Sequence, residues 1–166
     1  MPSRFVLLLS CLALLGCAPQ PAEDVPPAEY DEAEELAQLM AYVQRYAEKL
    51  YFAGMADNAP LAQFYVHELE ETFEAVEDGG YIENDWEVAE LVEDLAMPAL
   101  TGVEQAVAAQ VLGPDPDRAR TLFEERYGVL VNACNACHES TAHGFIRIVV
   151  PEASSFPNQQ FAPPVD

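Results

Sequence analysis

Cys134-Asn135-Ala136-Cys137-His138 constrains this chain more than any other stretch. Two thiols three positions apart share one side of a helix or tight turn, and an imidazole follows the second directly. This is the attachment pattern for a covalently bound haem. Both sulfurs can form thioethers with the vinyl groups of one porphyrin, and His138 can place a ring nitrogen on the iron as the proximal ligand. Other uses of a Cys-x-x-Cys pair fit less well. A redox dithiol belongs beside a βαβ pattern, and none is visible. A closed zinc site needs four ligands; there is no second cysteine pair, and His67 and His143 are the remaining imidazoles. A disulfide between residues so close would close almost no loop and stabilise little. The expected cofactor is therefore one covalently attached haem c, on Cys134 and Cys137 with His138 at the iron.

The start of the chain agrees with this expectation. Arg4 precedes the short apolar run Phe5 to Leu15, too short for a stable membrane span, so residues 1–16 read as a secretory signal peptide. Leu14-Leu15-Gly16-Cys17 resembles the bacterial lipobox, in which the cysteine is acylated and becomes the mature N-terminus. Ordinary secretion with cleavage near Ala18 is the alternative. Acyl chains on Cys17 would hold the protein to a membrane while the fold stays in water. Every cysteine then has a place: Cys11 leaves with the signal, Cys17 takes lipid, and Cys134 and Cys137 take haem. Residues 17–29, with Pro19, Pro21, Pro26 and Pro27, read as an extended tether. The expected location is the bacterial periplasm, lipid-anchored to a membrane.

The next region, residues 30–142, suits one helical domain. Helix 1 runs from about Asp31 to Ala53, with Leu36, Leu39, Met40, Val43, Ala47 and Leu50 on one face. Helix 2 runs from about Ala59 to Glu77, with Pro60 tolerated in its first turn and Leu61, Tyr65, Leu69, Phe73 and Val76 inward. On its wheel His67 falls opposite that face, among glutamates, so it reads as a solvated side chain and not a ligand. Helix 3 is expected to begin at the capping arrangement Asn84-Asp85-Trp86-Glu87 and, at Pro98, to kink or to give way to two shorter helices. Helix 4 starts at Asp115-Pro116-Asp117 and carries Leu122, Phe123, Tyr127, Leu130, Val131 and Cys134 along one broad face. The expectation is an all-α, up-down-up-down four-helix bundle with haem on the last helix and an extended C-terminal tail.

Residues 143–166 form that tail. The run Phe145 to Val150 has β character and is followed by Pro151, Pro157, Pro163 and Pro164. It is expected to pack on the bundle as a lid over the haem edge, because apolar residues left in water invite aggregation. Arg147 could then pair with a haem propionate. A docking segment for a redox partner is the other reading. Charge bears on partners as well: 29 acidic against 7 basic residues give a formal net charge of −22. Such a surface repels nucleic acid and anionic lipid and steers basic proteins toward it.

With helix order and motif position in view, the chain resembles the class II c-type cytochromes, the cytochrome c prime group. The resemblance covers roughly Asp31 to Glu139, and Cys134 to His138 is its one specific match. It implies that the stretch Leu36 to Met40 faces the far side of the haem. Low-spin members of that group place a methionine on the iron and transfer electrons; high-spin members leave the site open behind an apolar residue and bind small gases. Met40 is accordingly the candidate sixth ligand, with Met55 and Met97 weaker, and Leu36 or Leu39 the candidate screen if Met40 only packs. The resemblance also implies a possible homodimer through the first two helices. The function expected is a membrane-tethered monohaem electron carrier serving a basic redox partner. The alternative is a cytochrome that binds nitric oxide or carbon monoxide at an open sixth site. An enzyme such as a peroxidase is disfavoured, because no distal acid–base pair is evident.

Overall fold

The computed structural model describes residues 32–164, and side chains from residue 35 onward. The expected signal peptide and tether, with Cys17, lie outside the described residues. Four long helices make up most of this part: α1 (Glu32–Met55), α2 (Ala59–Asp78), α3 (Val88–Leu112) and α4 (Pro116–Ser140). A two-residue-per-strand hairpin, β1 (Ile82–Glu83) with β2 (Trp86–Glu87), joins α2 to α3. The described chain is thus essentially all-α.

Local chemistry explains the helix ends. After α1 the backbone turns through Asp57, whose φ of 54° is left-handed. The side chain of Asn58 then accepts from the Leu61 N–H at 3.3 Å, and Pro60 occupies the first turn of α2, where its missing donor costs nothing. Asp115 does the same for α4, accepting from the Arg118 N–H at 3.1 Å ahead of Pro116.

One apolar cluster draws on all four helices: Leu50 and Ala53 from α1, Val66 and Leu69 from α2, Leu100 and Val103 from α3, Phe123 and Leu130 from α4. Each large side chain so enclosed contributes roughly 1.5–3 kcal/mol relative to leaving it in water. Helices α1 and α2 pack together, as do α3 and α4, with α2 against α3 and α1 against α4 closing the set. Close approach sets the α1–α4 contact: a methyl on Gly54 would collide with the Phe123 ring, so only glycine fits there. Helix α3 is long and apolar enough to cross a membrane by length and composition, but Leu100, Val103, Ala106 and Val107 are buried against protein. His67 is 61% exposed and faces Glu71 at 3.3 Å, a solvated position.

Two expectations need correction. Asn84 and Asp85 do not cap a helix. Both have positive φ, 50° and 65°, and form the two-residue turn of the hairpin, which pairs Glu83 with Trp86 and Ile82 with Glu87. Helix α3 starts only at Val88. Just ahead of Pro98 the regular α-helix is interrupted, which divides this stretch into Val88–Leu91 and Met97–Leu112, as the proline suggested. The turn Val92–Ala96 just before it is a π turn, and the Met97 N–H bonds to the Val92 carbonyl five residues back. The extra residue shifts the ladder past the proline without a gap. Finally, the run Phe145 to Val150 is not buried as a block: Phe145 is 81% and Val149 68% exposed, while Ile148 packs on the core. The run opens in a turn, with the Ile146 N–H on the His143 carbonyl at 2.8 Å, and of its apolar side chains only Ile148 reaches the core.

Candidate cofactor site

Cys134, Cys137 and His138 lie in the last two turns of α4. Both thiols are free and partly buried. Burial, with the neighbouring Cys137 as a smaller influence, pushes the Cys134 thiol up to about 11; burial also raises that of Cys137. At neutral pH both are held protonated, poor nucleophiles in the closed fold. In haem-free protein, alkylation of Cys134 near pH 8 should therefore run about a hundredfold slower than that of an ordinary thiol. Mass-resolved iodoacetamide kinetics would test this, and a rate equal to that of free cysteine would contradict the burial.

His138 has a defined orientation. Its Nδ1 lies 3.0 Å from the carbonyl oxygen of Ile146. A carbonyl can only accept, so the proton sits on Nδ1, and Nε2 of the neutral ring keeps its lone pair. A backbone carbonyl on the second ring nitrogen is the arrangement that fixes tautomer and orientation in metal-ligating histidines. The residue types present therefore fit a covalent porphyrin: two free thiols one turn apart and, with Nδ1 protonated, an imidazole with a lone pair on Nε2 directly after the second. Among the described residues no group of three or more His, Cys, Asp or Glu side chains could hold a bare metal ion.

The carbonyl that orients His138 is itself held in place. The side-chain amide of Asn135, between the two cysteines, donates to the Ile148 carbonyl and accepts from the Ile148 N–H, both at 2.9 Å. One side chain thus plays the part of a neighbouring strand for the extended tail. Beyond it the tail runs along α1: the Ser155 N–H donates to the Glu48 carboxylate, and Lys49 lies over the Phe156 ring at 4.5 Å. Gln159 donates to the Tyr65 hydroxyl at 2.6 Å, and Asn58 donates to the Phe161 carbonyl at 2.8 Å. Arg147 faces Glu139 at 3.7 Å.

The end of α4 is fully capped. His143 N–H bonds to the His138 carbonyl at 2.7 Å and Ala142 N–H to the Glu139 carbonyl at 3.4 Å, a Schellman pair. Thr141 Oγ1 donates to the Cys137 carbonyl at 3.0 Å, and the hairpin's Asn84 donates to the Ser140 carbonyl at 3.0 Å. Ala142 occupies the left-handed position, φ 62°, that glycine usually fills. Ala142→Gly should therefore raise stability by about 0.5–1 kcal/mol, read as a higher midpoint in urea; a lower midpoint would refute the strain.

Met40 lies on α1 and packs at the margin of the core, with Leu36 and Leu39 beside it. Tyr127 donates to the Ala47 carbonyl at 3.0 Å, and Phe123 sits against Gly54. Moving along α4 toward Cys134 thus moves along α1 toward Met40. The tail contacts, and Asn135 above all, are what the sequence does not announce. His143 turns to Thr141, 3.4 Å from its hydroxyl, and to Phe145. Comparison of the chain with family models, with curated proteins and with solved structures finds no match in any of the three.

Proposed function

We propose that this protein is a monohaem c-type cytochrome, a four-helix bundle of up-down-up-down topology that carries electrons and is lipid-anchored on the periplasmic face of a bacterial membrane. The observation that carries the proposal is His138: its Nδ1 is held by the Ile146 carbonyl at 3.0 Å, next to two free thiols, so that Nε2 is available as a ligand. Cys134 and Cys137 would hold the porphyrin by thioethers, and His138 would hold one axial position of the iron. When bound, the haem supplies a one-electron couple. The chain's own part is to exclude water with the core around Tyr127 and Leu130, to orient the imidazole, and to seal the motif with the tail. Met40 is the proposed second axial ligand, on the antiparallel course of α1 past α4.

The visible spectrum of the reduced protein, with and without carbon monoxide, tests this. A low-spin spectrum that carbon monoxide leaves unchanged is expected, and Met40→Leu should make it responsive. A wild-type spectrum that is high-spin and shifts with carbon monoxide would overturn Met40 ligation and make the protein a gas binder. A colourless product from a host competent in haem attachment would overturn the whole proposal.

A further inference from the structure

The end of the molecule that carries the motif also carries most of its exposed large apolar side chains. Ile82 and Trp86 project from the hairpin, and Phe145, Ile146, Val149 and Val150 from the tail. The two segments converge on the same end of α4. Asn84 of the hairpin tip donates to the Ser140 carbonyl, while Asn135 and His138 hold Ile148 and Ile146. Isolated exposed apolar residues need no explanation, but several gathered at one end mark an interaction surface.

Charge says what kind of partner fits. The hairpin and the end of α4 contribute Glu83, Asp85, Glu87 and Glu139 around these residues, and Arg147 is already paired with Glu139. The other described basic residues lie elsewhere: Arg45 and Lys49 along α1, Arg118, Arg120 and Arg126 in the first half of α4. An apolar centre with an acidic rim suits a partner with an apolar centre and a basic rim, and it opposes an anionic lipid surface. The Ile146 carbonyl bonded to His138 also makes this surface continuous with the candidate cofactor site.

We infer that the hairpin Ile82–Glu87 and the tail segment Phe145–Val150 together form the docking surface for a basic redox protein, which meets the haem end of this molecule there. This rests on the electron-carrier reading above. Docking at this face brings the partner within one side chain of His138, whereas docking on the outer faces of α1 and α2 would not.

The test uses the holoprotein without its lipid and a lysine-rich mitochondrial-type cytochrome c as the probe, titrated at low ionic strength with NMR shift mapping. Shift changes should concentrate on residues 82–87 and 145–150. The double variant Phe145→Ser/Val149→Ser alters exposed side chains, so its fold and absorption should persist while affinity falls about tenfold or more. Glu124→Gln/Glu125→Gln, exposed on α4, should change affinity little. Unchanged affinity in the double variant, shifts that map to α1 and α2, or no measurable binding would each overturn the inference. Sedimentation with neutral phosphatidylcholine vesicles that the double variant abolishes would overturn it too, in favour of a membrane-contact surface. The two levels separate cleanly. Colourless protein that still binds through these residues sinks the haem reading alone, and coloured protein that binds elsewhere sinks the surface alone.

Discussion

Cys134→Ser or Cys137→Ser, produced in a host that attaches haem, should yield about tenfold less coloured protein than the wild type, and the double variant none with added covalent mass. Serine keeps the shape of cysteine with a smaller atom, and its hydroxyl does not add to a vinyl group as a thiol does. The fold itself should survive, because both positions are partly buried near the end of α4, and exchanging a thiol for a hydroxyl there costs on the order of 1 kcal/mol. The two effects therefore come apart: far-ultraviolet circular dichroism stays helical while visible absorbance and attached mass disappear. If the cysteines were merely packing residues, stability would drop slightly and no coloured species would have been present to lose. Intact mass spectrometry of wild type and variants decides the matter. Full covalent occupancy in both single variants would contradict attachment at this motif.

Asn135→Ala should have the next largest effect, on a residue that touches neither sulfur nor imidazole. It removes both hydrogen bonds to Ile148, which are partly buried. At about 1 kcal/mol each the loss is about 2 kcal/mol, or roughly 8 °C in the thermal midpoint of a domain this size. Freed of that clamp, the tail no longer holds the Ile146 carbonyl on His138 Nδ1, so in the proposed haem protein the imidazole would be a weaker donor and the reduction potential should rise. Asn135→Asp separates positioning from bulk. Its carboxylate can still accept from the Ile148 N–H but faces the Ile148 carbonyl without a proton. That repulsion raises the carboxyl's pKa above its unfolded value, so stability is lost above the ordinary carboxylate range and returns as pH falls and the acid donates again. A potential and a melting midpoint that stay put in Asn135→Ala would show that the tail is held by its distal contacts alone.

The four helices were legible because each repeats its apolar residues at helical spacing, and Asn58 and Asp115 stand where caps belong. The hairpin was not, since Asn84-Asp85 followed by Glu87 satisfies a capping pattern and a tight turn equally. In the fold the turn is also tied to a distant element, by the bond from Asn84 to Ser140, 56 residues away. Pro98 announced an interruption of the third helix; that it takes the form of a π turn has no local signature in sequence. The motif residues declare themselves by type and spacing. Asn135 does not, because it occupies a position the motif leaves free. The partners that pin the tail, Asn58 and Glu48, stand 103 and 107 residues from the groups they bind, beyond any periodic signal.

The strap from His138 to Phe161 has a consequence for the order of manufacture. It is the last described stretch to leave the ribosome, so the helices and the thiols exist before the cover that closes over them. In the finished fold the side of the motif beside Asn135 is latched and its thiols are protonated. If the motif takes haem as proposed, its attachment belongs to an interval that ends when the latch engages. A chain that latches too early would be a stable, well-folded blank.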